Sequence, residues 1–367
     1  MCIRDRVIVT GAPQTHNQRT SSFYNMADAG DYEQYGIRYN YNHGYLNGQE
    51  FNWRRNFYHK PIASVNWEYE INSSTNLSAS AYYSVGRGGG TGDIGRLGGN
   101  YASSSRFRSA ITGEVEWDQI VRSNSGQGGN WSGGYSYNNV VDAATGLYIV
   151  NDQDETVDGV KRNGFVRRAS VNSHNFVGAL VNLKKELSDK LTLDFGVDLR
   201  TYRGIHYRRL DHLLGADGYR DFDNVNYSGG STVRTKTYSS NIGELWNVFR
   251  DTDDEEKIDY HNDGFVRWSG VFGQLEYKND ALSVFVQGAV SNQGFQREEF
   301  FNQTPGNQKT DWKNISGGNI KGGANYNIDA KNNVYVNAGT YSKQPNFDAV
   351  YVNYGNNLNP DLRNEKV

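Results

Sequence analysis

The sequence predicts an all-β protein whose antiparallel strands form part of a transmembrane β-barrel. Apolar and polar residues alternate with a period of two in four hairpins, which is typical of strands with two different faces. The turns inside these hairpins are short, whereas the connections between them are long. Only 36% of the residues are apolar, while Tyr (26) and Gly (42) are abundant. A barrel with a wet interior needs few apolar residues, because only alternate strand positions face lipid.

The first hairpin covers residues 63–85, with a predicted turn at 72–76. Its apolar face carries Ala63, Val65, Trp67, Tyr69, Ile71, Leu77, Ala79, Ala81, Tyr83 and Val85. The second covers 177–199, with a turn near 187–190, and its return strand alternates most clearly. There the apolar Leu191, Leu193, Phe195, Val197 and Leu199 are separated by polar or small residues.

The third hairpin covers 271–290 with a turn at 278–280, and the fourth covers 320–338 with a turn at 329–333. Each apolar face has about the length of a tilted membrane-spanning strand, roughly 9 to 11 residues. We therefore expect lipid contact along these faces, at Val65, Trp67, Leu193, Phe195, Val197, Val284, Val286, Val334 and Val336.

The connections at 11–60, 86–175, 202–264 and 291–313 are long, polar and rich in Gly, Asn and Asp. Short turns at one end and long loops at the other are typical of outer-membrane barrels, with the long loops outside the cell. Tyr69, Tyr277 and Tyr326 fall near the short turns, where an interfacial aromatic girdle is expected. Ordinary strand tyrosines explain these three positions equally well.

The chain is expected to be a fragment. Residues 1–6 have neither an apolar stretch nor a cleavage site, and we interpret them as a non-native, artificial header. Residues 7–367 are then a partial barrel of about nine or ten strands, which must continue beyond both ends because an open edge in lipid leaves backbone groups unsatisfied. The single Cys2 excludes an intramolecular disulfide.

Composition and motifs disfavour several functions. The net charge of −3 gives no basic field for nucleic acid. No catalytic motif is present, and the seven His residues lack metal-ligand spacing, so we predict no enzyme, no metal and no cofactor. Gly90-Thr91-Gly92-Asp93-Ile94-Gly95 matches a dinucleotide-binding pattern, but the residues that follow cannot begin a helix. We interpret it as a Gly-rich loop.

Two acidic stretches, 151–155 and 251–256, suggest calcium because this hard cation prefers several carboxylate oxygens. Neither has the Gly and the later Glu of a calcium-binding loop. We favour solvated acidic loops.

Two further stretches, 53–60 and 206–209, interleave cations with aromatic residues, a combination that suits sugars, bases or anionic ligands. A barrel rim that meets lipid headgroups would have the same composition. If these stretches contact a ligand, the contacts are Trp53, Arg54, Arg55, Tyr58, His59, Tyr207, Arg208 and Arg209.

Two parts of the chain resemble TonB-dependent receptors of the SusC-like and carboxypeptidase-regulatory-domain-bearing kind. The first comprises Gly11-Ala12-Pro13-Gln14-Thr15-His16-Asn17-Gln18-Arg19, then Tyr39-Asn40, then 52–61; the second is Asn359-Pro360-Asp361-Leu362-Arg363-Asn364-Glu365-Lys366. Asn364 stands where the family usually has Pro. The resemblance implies a barrel of about 22 strands around an N-terminal plug. It also implies that the plug, the TonB-contacting segment and the last strands are missing here.

The resemblance implies an outer-membrane receptor that imports a scarce solute with energy relayed by TonB. Its expected partners are outer-membrane lipid, TonB, a surface lipoprotein and a small solute, glycan or peptide. A passive porin-like channel and a soluble β-rich surface adhesin are the alternatives. Long loops favour a receptor over a porin, because they can cover a ligand whereas a porin needs an open mouth. An adhesin would bury its apolar strand faces against a second sheet.

Overall fold

A computed structural model describes residues 3–19, 29–151, 156–157, 160–161, 164–236 and 240–367. Cys2 and most of the acidic stretch 151–155 lie outside these residues. Twelve strands form one antiparallel sheet. They are β1 (Ile3–Thr10), β2 (Gln14–Asn17), β3 (Arg55–His59), β4 (Ile62–Asn72), β5 (Thr75–Arg96), β6 (Gly164–Ser188), β7 (Leu191–His212), β8 (Lys257–Lys278), β9 (Leu282–Glu299), β10 (Lys313–Asn327), β11 (Asn333–Lys343) and β12 (Glu365–Lys366).

The connections contain short elements. The helices are α1 (Ala29–Tyr35), α2 (Trp117–Asn124) and α3 (Phe347–Val350), with 3-10 turns at Ser105–Phe107, Glu244–Trp246 and Asp254–Glu256. Small strands lie at His43–Leu46, Gln49–Asn52, Gly129–Asn130, Ser136–Tyr137, Ile149–Asn151, Thr156–Val157, Val160–Lys161, Gly218–Asp221 and Ser231–Val233. In the part of the chain that the structure describes, no helix is long and apolar enough to cross a membrane.

The sheet runs in the order β1-β4-β5-β6-β7-β8-β9-β10-β11-β12. β2 pairs with β3, and β3 pairs with β5, so these two strands continue the positions of β1 and β4. Pro13 and Pro61 mark the two interruptions, because proline has no N–H group to donate to a neighbouring strand. The sheet is therefore ten strands wide, which agrees with the nine or ten predicted.

All four predicted hairpins are present, with tight turns after Asn72, Ser188, Lys278 and Asn327. Side-chain oxygens close these turns by accepting backbone N–H bonds; they belong to Asn72, Asn279 and Asp329 in three turns and to the Ser188 hydroxyl in the fourth. Asn279 accepts from Ala281 and Leu282 at 3.0 and 2.8 Å, and Asp329 accepts from Lys331 at 2.7 Å.

The strands extend further toward the long connections than predicted. β5 continues to Arg96 and β6 begins at Gly164, so this connection spans 97–163 rather than 86–175. The next connections span 213–256 and 300–312, and another spans 344–364. The glycine pattern at 90–95 is part of β5, so the Gly-rich loop interpretation was wrong. Glycine is needed in this part of β5 because a Cβ on Gly95, which has a φ of 99°, would lie 2.2 Å from the Gly164 carbonyl oxygen of β6.

One face of the sheet is apolar in the half of each strand next to the short turns, and we call it the apolar face. The pairing sets Val65 opposite Ala81, Val181 opposite Val197, and Val197 opposite Val271. All nine residues predicted to meet lipid lie on this face. Val65 is 51% exposed and Val336 is 66% exposed, so no second sheet covers them in the described chain.

β1 begins at Ile3, so it includes four residues of the predicted header. Asp5 pairs with Trp67 and interrupts an apolar row that contains Val7 and Val9.

The hydrophobic core lies at the other end of the strands, where the long connections form a packed layer that we call the loop layer. Its largest buried side chains include Trp53, Trp117, Phe165 and Tyr219. The loop layer covers both faces of the sheet: Phe165 and Val171 share the apolar face of β6 with Val177, whereas Val166 lies on the opposite face. The same strands therefore have a packed half and a bare half.

Candidate functional site

Strand alternation places the predicted ligand contacts on opposite faces of the sheet. Arg54, Tyr58 and Arg208 lie on the polar face, which is the face opposite the apolar one. Arg55, His59, Tyr207 and Arg209 lie on the apolar side, and Trp53 packs on Phe165 of the same side. Interleaved residues on a strand point to alternate sides, so neither stretch forms one continuous contact surface.

The residues on the apolar side hold the loop layer in place. Trp53 packs against Trp117 with ring centroids 4.3 Å apart, and His59 Nδ1 lies 2.9 Å from the Leu245 carbonyl oxygen. The Tyr207 hydroxyl donates to Asp251 at 2.8 Å, and burial raises the pKa of Tyr207. Trp53, His59, Tyr207 and Arg209 are each at most 4% exposed, so their side chains are packed inside the loop layer and do not offer a surface to a dissolved ligand.

Arg55 is partly exposed on the apolar side, and its guanidinium donates to the Thr15 hydroxyl at 3.1 Å. This bond ties β3 to β2, which gives Arg55 a structural role at the end of the sheet.

A buried ion cluster, which the sequence did not indicate, lies beside these residues. Arg167 contacts Asp211 at 2.7 Å and donates to the Asn52 carbonyl at 2.9 Å, while Arg209 lies 3.5 Å from Asp211. Burial alone would raise the pKa of Asp211, but the neighbouring charges of Arg167 and Arg209 outweigh it and lower that pKa. The cluster links β6 and β7 to the loop layer.

The acidic stretch 251–256 also belongs to the loop layer. Asp254 accepts from Lys257 at 2.7 Å, and Glu256 is only 5% exposed. Asp251, Asp253, Asp254 and Glu255 are exposed, as expected for a solvated acidic loop, whereas Thr252 and Glu256 are buried. Among the described residues, no three His, Cys, Asp or Glu side chains are grouped so that they could hold a metal ion.

The polar face carries a cavity of about 650 Å³ at the loop end of β7, β8 and β9, which we call the aromatic cavity. Its lining includes Tyr202, Gly204, His206, Tyr260, Asn262, Arg297, Glu299, Phe347, Asp348 and Tyr354. α3 reaches over this face because β8 has a glycine beneath it: a Cβ on Gly264 would lie 2.9 Å from the Phe347 ring. Arg297 of β9 links the strand wall of the cavity to the segment that contains Tyr354. Its guanidinium contacts the Glu299 carboxylate and the Tyr354 carbonyl oxygen, both at 2.7 Å.

A second cavity of about 410 Å³, which we call the basic cavity, lies on the polar face between β3, β5 and β6. Its lining comprises Gln18, Arg54, Asn56, Phe57, Tyr58, Lys60, Gly88, Gly89, Gly90, Thr91, Arg168, Ser170 and Asn172. The two cavities share Asn172, whose Oδ1 lies 2.8 Å from His206 Nδ1. Burial and the charge of Arg297 lower the pKa of His206. Because Asn172 Oδ1 is an acceptor, the neutral imidazole donates from Nδ1 and can accept a hydrogen bond at Nε2.

Arg208 lies between the two cavities. It pairs with Asp259 and lies 5.4 Å from the Tyr260 ring centroid. Asp259 has a φ of 66°, and the pairing of β7 with β8 shifts at this point. This bulge places Asp259 beside Arg208, as bulges commonly redirect side chains near functional sites.

A larger cavity, about 820 Å³, lies along β8–β11 and is lined by Asp198, Trp268, Phe272 and Lys321 among others. Apart from Gln344, which follows β11, its lining residues lie on the strands. The two smaller cavities combine strand and loop residues with several charged groups, which is typical of a ligand site. They are therefore the better candidate, and the sequence identified only Arg54, Tyr58 and Arg208 among their neighbours.

Comparison with known proteins shows structural similarity only at a low level. No family model and no curated protein matches the chain. The closed form of the ferric-catecholate import receptor Fiu from E. coli K12 has a TM-score of 0.46 at 11% identity, over 99% of this chain and 45% of that chain. Its open form has a TM-score of 0.43 at 9% identity, over 93% and 44%.

A Pseudomonas aeruginosa FadL homologue has a TM-score of 0.32 at 8% identity, over 79% of this chain and 50% of that chain. The chain thus spans half or less of the length of each of these structures. Similarity at this level carries no weight for activity. What the structure itself establishes is that the chain is an all-β protein with one wide antiparallel sheet.

Proposed function

We propose that this chain is part of the barrel of a bacterial outer-membrane receptor that captures a solute at its loop end and imports it with energy relayed by TonB. One observation carries the proposal: two polar cavities lie on one side of the sheet at the loop end, and a bare apolar face lies on the other side near the short turns. A barrel with a ligand site inside and lipid outside needs this division.

A soluble adhesin does not explain the bare apolar face. Phe195 and Leu199 are 47% and 50% exposed, and exposed apolar surface of this extent along neighbouring strands is costly in water. A passive porin explains the apolar face but not the loop layer. The segment 344–364 lies against the polar face, where its Phe347 and Val350 pack on Phe295. An open channel would gain nothing from such a cover.

Uptake by living cells tests the proposal. Cells with the full-length protein, cells without it and cells without TonB are grown on a peptide- and glycan-rich extract, and mass spectrometry follows the disappearance of each solute from the medium. We expect the same solute to remain in the medium of both deletion strains. If a solute that needs this protein is taken up normally without TonB, the protein is a passive channel. Co-purification of the full-length protein with a surface lipoprotein would support the partner expected from the sequence.

A further inference from the structure

We propose that the basic cavity binds an anionic group, a carboxylate, sulfate or phosphate, on the solute that the receptor takes up. This inference rests on the proposed function, and it names the chemistry that the ligand must carry. The cavity wall contains three cationic side chains, Arg54, Lys60 and Arg168, and none of its lining residues is acidic.

The positive charges of the cavity are only partly balanced by carboxylates. Arg54 contacts Asp93 at 3.3 Å. Within the described part of the chain, no Asp or Glu oxygen lies within 4.0 Å of the guanidinium of Arg168 or the ammonium of Lys60. Arg208, next to the cavity, already pairs with Asp259. Concentrated like charge beside a low-dielectric wall attracts anions from solution.

Among the cationic residues of the basic cavity, Arg168 has the strongest reason to bind an anion. Its Nη1 donates to the Gly90 carbonyl and the Ser170 hydroxyl at 3.4 and 3.1 Å, but its buried Nε has no hydrogen-bond partner among the described residues. Burial, with the charges of Arg208 and Arg54, lowers the pKa of Arg168 to about 10. A partly buried charge without an ion-pair partner is costly, so a bound anion would stabilise this guanidinium.

Arg54 and Arg168 lie close enough to hold one anion together. A Cβ on Gly92 would lie 2.8 Å from Arg168 Nη2 and 2.9 Å from Arg54 Nη1, so both guanidinium groups meet over this glycine. Two guanidinium groups around a common point favour a planar or tetrahedral oxyanion, which can accept several N–H bonds. Nearby, the ring of Tyr58 lies 5.9 Å from Lys60 Nζ and could support the uncharged remainder of a ligand.

The position of the cavity favours a dissolved anion over a lipid phosphate. The cavity opens on the polar face, whereas lipopolysaccharide would surround the apolar face, on the other side of the sheet. The phosphate groups of lipid A therefore lie on the wrong side to reach Arg168.

Binding of inorganic anions to the purified full-length protein tests the proposal. Calorimetric titration in detergent with sodium sulfate and with sodium phosphate, at constant ionic strength, should give saturable binding. Arg168→Gln should weaken it about tenfold or more, because a charge-assisted bond is removed. Arg54→Gln should also weaken it. The control Arg363→Gln, an exposed arginine that lines neither cavity, should leave it unchanged.

Three results would overturn the proposal. The first is no saturable binding of either anion, and the second is equal affinity in wild type and Arg168→Gln. The third is binding of the protein to vesicles that contain lipopolysaccharide without any binding of the dissolved anions. If Arg168→Gln does not fold, Arg168→Lys replaces it. Lysine keeps the charge but loses the planar fork, so affinity should fall by a smaller factor, and unchanged affinity would count against the proposal. The titration needs neither TonB nor a membrane potential. Its outcome therefore does not depend on whether transport by the full-length protein is energised or passive.

Discussion

Val197 and Asp198 are neighbours in β7 whose side chains lie on opposite faces of the sheet. Val197 stands between Val181 and Val271, so this part of the apolar face consists of branched aliphatic side chains. Asp198 contacts Arg200 at 2.5 Å on the polar face. Adjacent residues of one strand are thus expected to experience lipid and water respectively.

Val197→Arg should destabilise the full-length protein in phospholipid bilayers by roughly 2 to 4 kcal/mol if this position lies near the membrane midplane. The control Asp198→Asn should change the free energy of unfolding by less than about 1 kcal/mol, because an ion pair with a half-exposed arginine contributes little. Urea unfolding in lipid vesicles measures both. Equal tolerance of the two substitutions would contradict the assignment of the faces.

At the scale of elements, the loop layer is a packed structure with its own sensitivity to pH. His212 lies at the end of β7, where its Nδ1 accepts the Leu214 N–H at 2.9 Å, and burial with the charges of Arg167 and Lys236 lowers its pKa to about 4. His261 in β8 stacks on Phe300 at 4.1 Å, and burial with the charge of Lys257 lowers its pKa to about 3.

Both imidazoles are neutral in the folded layer but take up protons near pH 6.5 when exposed, so the unfolded state binds more protons below that pH. The loop layer should therefore lose stability as the pH falls below about 6.5 toward 3. Each unit of lowered pKa corresponds to about 1.4 kcal/mol. Proteolysis of the loops in the full-length protein, followed from pH 7 to pH 4, measures this loss.

His212→Gln should flatten this pH dependence, since glutamine can still accept the Leu214 N–H but does not titrate. The matched control is His16→Gln at an exposed position. A pH profile that is identical in wild type and His212→Gln would show that the loss comes from other groups.

At the scale of the whole molecule, the segment 344–364 forms one wall of the aromatic cavity. It brings Phe347, Asp348 and Tyr354 to the aromatic cavity from outside the strands that form its other walls. A receptor uses such a cover to hold its ligand, whereas in a porin it would only obstruct the channel.

Replacing 345–356 with a short Gly-Ser linker should abolish the TonB-dependent uptake of whichever solute the uptake experiment reveals, because one wall of the aromatic cavity is lost. Conductance across planar bilayers should change little, since a closed receptor does not conduct through this segment. A large rise in conductance with retained uptake would instead identify a passive channel.

The alternation within the short-turn halves of the strands determined the fold class. Residues 191–199 and their partners predicted the strands, the turns and the shared apolar face, because a half-exposed strand must alternate where one face is apolar. The packed halves of the strands escaped prediction. Around Gly86–Arg96 both faces are covered by the loop layer, so alternation disappears, and close approach of neighbouring strands requires glycines that resemble a loop.

The candidate site shows the same division. The sequence indicated that 53–60 and 206–209 matter, and it contained the alternation that separates Arg54 and Arg208 from Trp53 and Arg209. It could not indicate that Arg168 would join Arg54 over Gly92, since those contacts connect strands that are distant in the sequence. Residue type and period determine which face a side chain occupies. Only the pairing of distant strands decides which charges meet, and whether a counterion is among them.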